Sequence, residues 1–117
     1  SRERLEQEIE HFTVMEIDGT IIACAALYPF LHDNAGELAC MATHIDYRKN
    51  GRAAKLLAHI EKQASKIKMK QLFILTTQGE HWFQEQGFIL SSLEILPQER
   101  LKVYNYQRNS KIFVKEI

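Results

Sequence analysis

The chain of 117 residues is poor in cysteine, in charge imbalance and in long apolar runs, and each scarcity closes a class of function. Its two cysteines, Cys24 and Cys40, stand far apart and belong to no Cys-x-x-Cys or Cys/His metal spacing, so reduced, cytoplasmic thiols are expected. His11, His32, His44, His59 and His81 likewise form nothing like His-Glu-x-x-His, and no metal is expected. Fifteen basic and fifteen acidic residues cancel, which removes the broad electrostatic case for a nucleic-acid or membrane-surface partner. No apolar run approaches the roughly 20 residues of a membrane span, and the opening Ser1-Arg2-Glu3-Arg4-Leu5-Glu6 is too charged for a signal peptide, so a soluble protein is expected. Internal repeats and low-complexity tracts are absent too.

What is present suits one domain over 1–117: with 45% hydrophobic and 26% charged residues, the chain holds enough for one core and is too short for two. Arg2 to Glu10 is rich in helix formers, with Leu5 and Ile9 at i, i+4, and reads as the end of an amphipathic helix. Phe12 to Ile17 and Thr20 to Leu27 are β-branched and apolar and flank Asp18-Gly19, a dipeptide suited to a two-residue hairpin turn. A third strand is expected from Glu37 to Thr43, after the break made by Pro29 and the polar stretch that follows. Ala53, Leu56, Leu57, Ile60, Ala64 and Ile67 recur at helical spacing over about four turns, so that stripe should lie on a sheet. Leu72 to Thr76 is a continuous apolar run, as in a central parallel strand covered on both faces. His81 to Gln86 should form a short helix closed by Gly87, with Trp82 and Phe83 filling core; Phe88 to Leu93 resumes as strand. Pro97 suits the first turn of a helix to about Lys102, and Ser110 to Ile117 a last strand.

The stretch that organises the rest runs from Glu37 to Ala54: an apolar run, a polar elbow containing Asn50-Gly51, then a helix opening. A strand that turns tightly into a helix aims several N–H groups at one spot with the positive helix end behind them, which makes an anion cradle. Gly51 permits close backbone approach, as does small Ala53, and Arg48, Lys49 and Arg52 add cations. On the residues alone the alternative is an ordinary Asn-Gly turn with solvated charges.

Arg48-Lys49-Asn50-Gly51-Arg52-Ala53 resembles the acetyl-CoA signature Gln/Arg-x-x-Gly-x-Gly/Ala of the Gcn5-related N-acetyltransferases (GNAT). The words at 24–30, 36–40, 56–60, 81–88 and 104–111 further resemble the acetyltransferase domains of the bacterial N-acetylglutamate synthases, over nearly the whole chain. The resemblance implies the GNAT acyl-CoA N-acyltransferase fold, α/β (α+β), with a mixed central sheet and flanking helices. Its first strand and helix are expected to be missing here, and the domain to be the C-terminal part of a longer chain. Acetyl-CoA and L-glutamate are the implied co-substrate and acceptor, and an amino-acid-kinase-like domain the implied companion in a homo-oligomer.

For the site, the resemblance implies Glu37 as proton acceptor for the attacking amine, a role a carboxylate suits. It implies that the main chain of Cys40, Met41, Ala42 and Thr43 pairs with the pantetheine arm, with an N–H there for the oxyanion. Cys40 is also expected beside the substrate; as an acyl carrier it is disfavoured, since no His pairs with it. Thr76, Tyr104 and Tyr106 are open alternatives for protonating the departing thiolate. Arg108 and Ser110 are implied at the glutamate α-carboxylate, and Arg100 is a further candidate; taken by themselves, all three fit a basic tail exposed to water.

Overall fold

The computed structural model describes the backbone of residues 3–8 and residues 11–44 and 51–117 in full. Among them the chain forms β1 (Glu3–Glu8), β2 (Phe12–Ile17), β3 (Thr20–Phe30), β4 (Ala35–Thr43), α1 (Arg52–Lys66), β5 (Gln71–Thr76), α2 (Glu80–Glu85), β6 (Ile89–Ser91), α3 (Gln98–Leu101) and β7 (Lys111–Glu116). One mixed sheet carries the strands in the order β1-β2-β3-β4-β5-β7-β6.

The β2–β3 hairpin turns where expected. Asp18 (φ 50°) and Gly19 (φ 84°) both take the left-handed conformation that a tight primed turn demands. Residues 3–8 overturn the helical reading: they pair antiparallel with β2 from Glu3↔Ile17 to Glu8↔Phe12. The reason is that i, i+4 positions share a face in a helix and in a strand alike, so Leu5 and Ile9 do not discriminate. Helix propensity, worth tenths of a kcal/mol per residue, then yields to an available sheet edge.

Helix α1 buries Leu56, Leu57, Ile60 and Ala64, four of the six stripe positions. They pack on Met15, Ile22, Leu38, Leu72, Ile74 and Phe113 from one face of the sheet. The opposite face carries a second cluster, Ala35, Phe73 and Ile112 beneath Leu96 and Tyr104. Alternation along β5 thus sends Leu72 and Ile74 one way and Phe73 the other, as a strand covered on both sides requires. Strand β5 runs parallel to β4 and antiparallel to β7, which slips between β5 and β6. The strand expected through Leu93 is shorter: Phe88 turns into the core, and Leu93–Ile95 closes a 3-10 turn.

Candidate active site

Strands β4 and β5 are in register only at Ala35↔Gln71, Gly36↔Leu72 and Glu37↔Phe73. Since β4 continues to Thr43 and β5 to Thr76, the two part beyond that point. A cleft of about 660 Å³ opens in the gap, a volume suited to a small-molecule site. Leu38 to Thr43 form one wall, Ile74, Leu75 and Thr76 the other, and Ala53 in the first turn of α1 lies at its border. Along the wall from Leu38, alternate amides and carbonyls of a strand face the gap rather than β3, so an extended ligand arm can be held by the main chain.

The β4 wall is bent by a bulge. Cys24 stands opposite Ala42 and Ala26 opposite Ala39, which leaves one extra residue in β4, and Cys40 within it has φ 54°. Its side chain is exposed at the cleft, and its carbonyl lies 3.9 Å from the Cys24 Sγ.

Gly51, at the N-cap of α1, has φ 71°, and its carbonyl accepts the Lys55 N–H at 3.1 Å. No acidic residue occupies the first turn of this helix, so the turn itself adds no negative charge at the positive helix end. Arg52 opens the helix; Arg48, Lys49 and Asn50 lie outside the described residues.

Of the other candidates, Thr76 and Arg108 line the cleft. The Thr76 hydroxyl donates to the Gln78 carbonyl and accepts the Gln78 N–H at 3.0 Å, so it is tied into the turn after β5. Glu37 sits at the vertex where the strands part, on the face of Ala35 and Phe73, and is 9% exposed. Its Oε1 accepts a bond of 2.7 Å from Arg100 Nε. Tyr104 is buried with its hydroxyl donating to the Ser110 carbonyl at 2.8 Å, and Tyr106, packed edge-on to it at 4.8 Å, is exposed. The candidates thus divide: Cys40 to Thr43, Ala53, Thr76 and Arg108 meet in the cleft, while Glu37 and Arg100 pair with each other, and Tyr104 and Ser110 do likewise.

Trp82 and Phe83 correct an expectation. They pack on the core from one side but are half-buried and line the cleft with Gly79. The sequence held a signal for this: Thr77-Gln78-Gly79-Glu80 repeats, after β5, the strand–glycine–helix order of the first elbow. Among the described residues no group of three His, Cys, Asp or Glu gathers as metal ligands, and no helix is long and apolar enough to cross a membrane.

A parallel pair that parts around a bulged strand, with a helix N-terminus at the border of the gap, is the architecture of an acyl-CoA N-acyltransferase. The acetyltransferase (GNAT) domain model matches residues 8–90, and the chain belongs to that family. It is 51% identical to the amino-acid acetyltransferase of Buchnera aphidicola subsp. Acyrthosiphon pisum, covering 100% of this chain and 26% of the relative. With that of Ectopseudomonas mendocina it shares 55% identity, over 100% of this chain and 27% of the relative. Among solved structures, N-acetylglutamate synthase from Neisseria gonorrhoeae, complexed with coenzyme A and N-acetyl-glutamate, superposes with a TM-score of 0.85 at 39% identity. That match covers 91% of this chain and 25% of the synthase. A GNAT-family acetyltransferase from Staphylococcus aureus shares the fold, with a TM-score of 0.75 at 16% identity over 90% of this chain and 66% of the other. The chain spans about a quarter of the length of the curated relatives it matches.

Proposed function

We propose that this single domain binds acetyl-CoA in the β4/β5 cleft and, within a longer cytoplasmic protein, transfers acetyl to the α-amine of L-glutamate. The products are N-acetyl-L-glutamate and coenzyme A, the first step of arginine biosynthesis. One observation carries the reading: the strands part beyond Glu37↔Phe73 into a cleft that reaches the first turn of α1. The name amino-acid acetyltransferase of the relatives supports an amino acid as acceptor, and the coenzyme A and N-acetyl-glutamate bound to the gonococcal synthase support glutamate.

In this reading the diphosphate rests on the Gly51–Ala53 end of α1, with Arg48, Lys49, Asn50 and Arg52 around it, and the pantetheine arm lies along Cys40 to Thr43. Glu37 takes a proton from the substrate ammonium, directly or through water, and the freed amine attacks the thioester carbonyl. A main-chain N–H of the bulged strand holds the oxyanion; the C–S bond then breaks, and the thiolate gains a proton from Thr76 or a tyrosine. Arg108 and Ser110 hold the α-carboxylate. In the longer chain the domain joins an amino-acid-kinase-like domain in a homo-oligomer.

The test is coenzyme A release from acetyl-CoA against a panel of amino acids, with this chain and the intact protein side by side. Glutamate-selective release is expected. Release with another amino acid would move the acceptor assignment, and acetyl-CoA binding without release from either protein would refute the transfer.

A further inference from the structure

The ion pair between Glu37 and Arg100 joins residues 63 apart in sequence, at the point where β4 leaves β5. The Nε–Oε1 distance is 2.7 Å, and the two side chains are 11% and 20% exposed, so the contact is little screened by water. Only one carboxylate oxygen is used. Among the described residues, Oε2 of Glu37 has no hydrogen-bond partner, and neither has the Nη pair of Arg100.

Arg100 is itself firmly carried. The Pro97 carbonyl accepts the N–H groups of Arg100 and Leu101, each at 2.9 Å. Pro97 and Leu96 are buried, and Leu96 and Leu101 pack on the Phe73 cluster behind Glu37. A glutamate side chain has three rotatable torsions, and a freely rotating carboxylate spends little time in any one reactive geometry. A guanidinium carried by the cluster on Glu37's own face of the sheet removes that freedom at one oxygen.

We propose that Arg100 is a positioning residue: by holding Oε1 it presents Oε2 of Glu37 to the acceptor amine. The inference rests on the functional reading above. It also separates Arg100 from Arg108: the first serves an internal carboxylate, and the second lines the cleft and serves the substrate.

The test is a kinetic double-mutant cycle in the intact protein, with wild type, R100Q, R100K, E37Q and E37Q/R100Q, and acetyl-CoA binding measured for each by calorimetry. E37Q should lower kcat by about a hundredfold or more, the usual worth of a general base. R100Q should lower kcat by about tenfold, with KM for both substrates within about twofold. R100K, which keeps a cation but loses the planar donor, should recover part of the loss. In the E37Q background R100Q should cost less than about twofold more, because the oxygen it orients is gone. Losses that multiply in the double variant would overturn the inference, as would a raised acceptor KM at unchanged kcat, or a fall in kcat matched by lost acetyl-CoA binding. A wild type that releases no coenzyme A with any acceptor refutes the functional reading and this inference with it; an active wild type with multiplying losses refutes the inference alone.

Discussion

Gly36 immediately precedes Glu37, and a methyl group added there would stand 2.7 Å from Met69 Sδ, 2.8 Å from Leu27 Cδ1 and 3.3 Å from Leu72 Cδ2. Its backbone is ordinary strand, so alanine meets no conformational penalty and gains about 0.4–1 kcal/mol by restricting the unfolded chain. Overpacking a closed core costs about 1–3 kcal/mol, and the clash wins. Gly36→Ala should therefore destabilise by about 1–2 kcal/mol, read as the urea midpoint, or as a melting temperature lower by roughly 4–8 °C in a chain of this size. Met69 is 3% exposed, so Met69→Ala alone should cost about 2–5 kcal/mol. In the Gly36→Ala background it should cost about 1 kcal/mol less, since the truncation also removes the shortest of the three contacts and gives the methyl group room to move away from Leu27. Gly19 is the control: with φ 84° and nothing within 4 Å, Gly19→Ala should lose about 1 kcal/mol through backbone strain that no neighbouring truncation relieves. A Gly36→Ala variant as stable as wild type, or a Met69→Ala cost unchanged between backgrounds, would refute the reasoning.

If Cys40 serves the cleft through its main chain, as proposed, Cys40→Ala should keep turnover within about twofold; trapping an acetylated Cys40 during turnover would overturn direct attack. Tyr104→Phe removes the bond to the Ser110 carbonyl and should cost about 0.5–1.5 kcal/mol in chemical unfolding. A loss of kcat beyond about a hundredfold with that stability cost would instead assign the phenol as the acid for the thiolate. Phe73→Ala empties the centre of the second cluster, and the expected loss of about 3–5 kcal/mol, measured by urea titration, is a large share of a small domain's stability.

What the sequence disclosed was whatever is encoded locally. Asp18-Gly19 specifies its turn through two positive φ angles, and the α1 stripe needs only a period of 3.6. Leu5 and Ile9 were ambiguous because their spacing satisfies both periods. The parting of β4 and β5 is not readable from periodicity, since a gap between strands leaves no pattern along either one. Two features were hidden for the same reason of distance. The Glu37–Arg100 pair spans 63 residues, and the cleft-lining side of Trp82 and Phe83 depends on where the sheet opens rather than on the helix that carries them.

The segment between α3 and β7 shows how an exposed loop can still aim a side chain. Asn105 Oδ1 accepts the N–H groups of Gln107 and Arg108 at 3.0 and 3.1 Å, and its carbonyl accepts the Asn109 N–H at 3.1 Å. Asn109 turns through φ 52°, and the Ser110 carbonyl is pinned by buried Tyr104 before β7 enters the sheet. Arg108 therefore reaches the cleft from a turn tied at both ends. Asn105→Ala frees two amides that water can satisfy, so its stability cost should be about 1 kcal/mol or less. If Arg108 holds the acceptor's carboxylate, the same change should raise the acceptor KM by about three- to tenfold, leaving acetyl-CoA KM and kcat nearly unchanged, since loosening the turn spoils a planar donor more than a point charge. Arg108→Lys should raise the acceptor KM further without touching the turn. An equal rise in KM for both substrates, or none for either, would show that Arg108 borders the cleft without serving the acceptor.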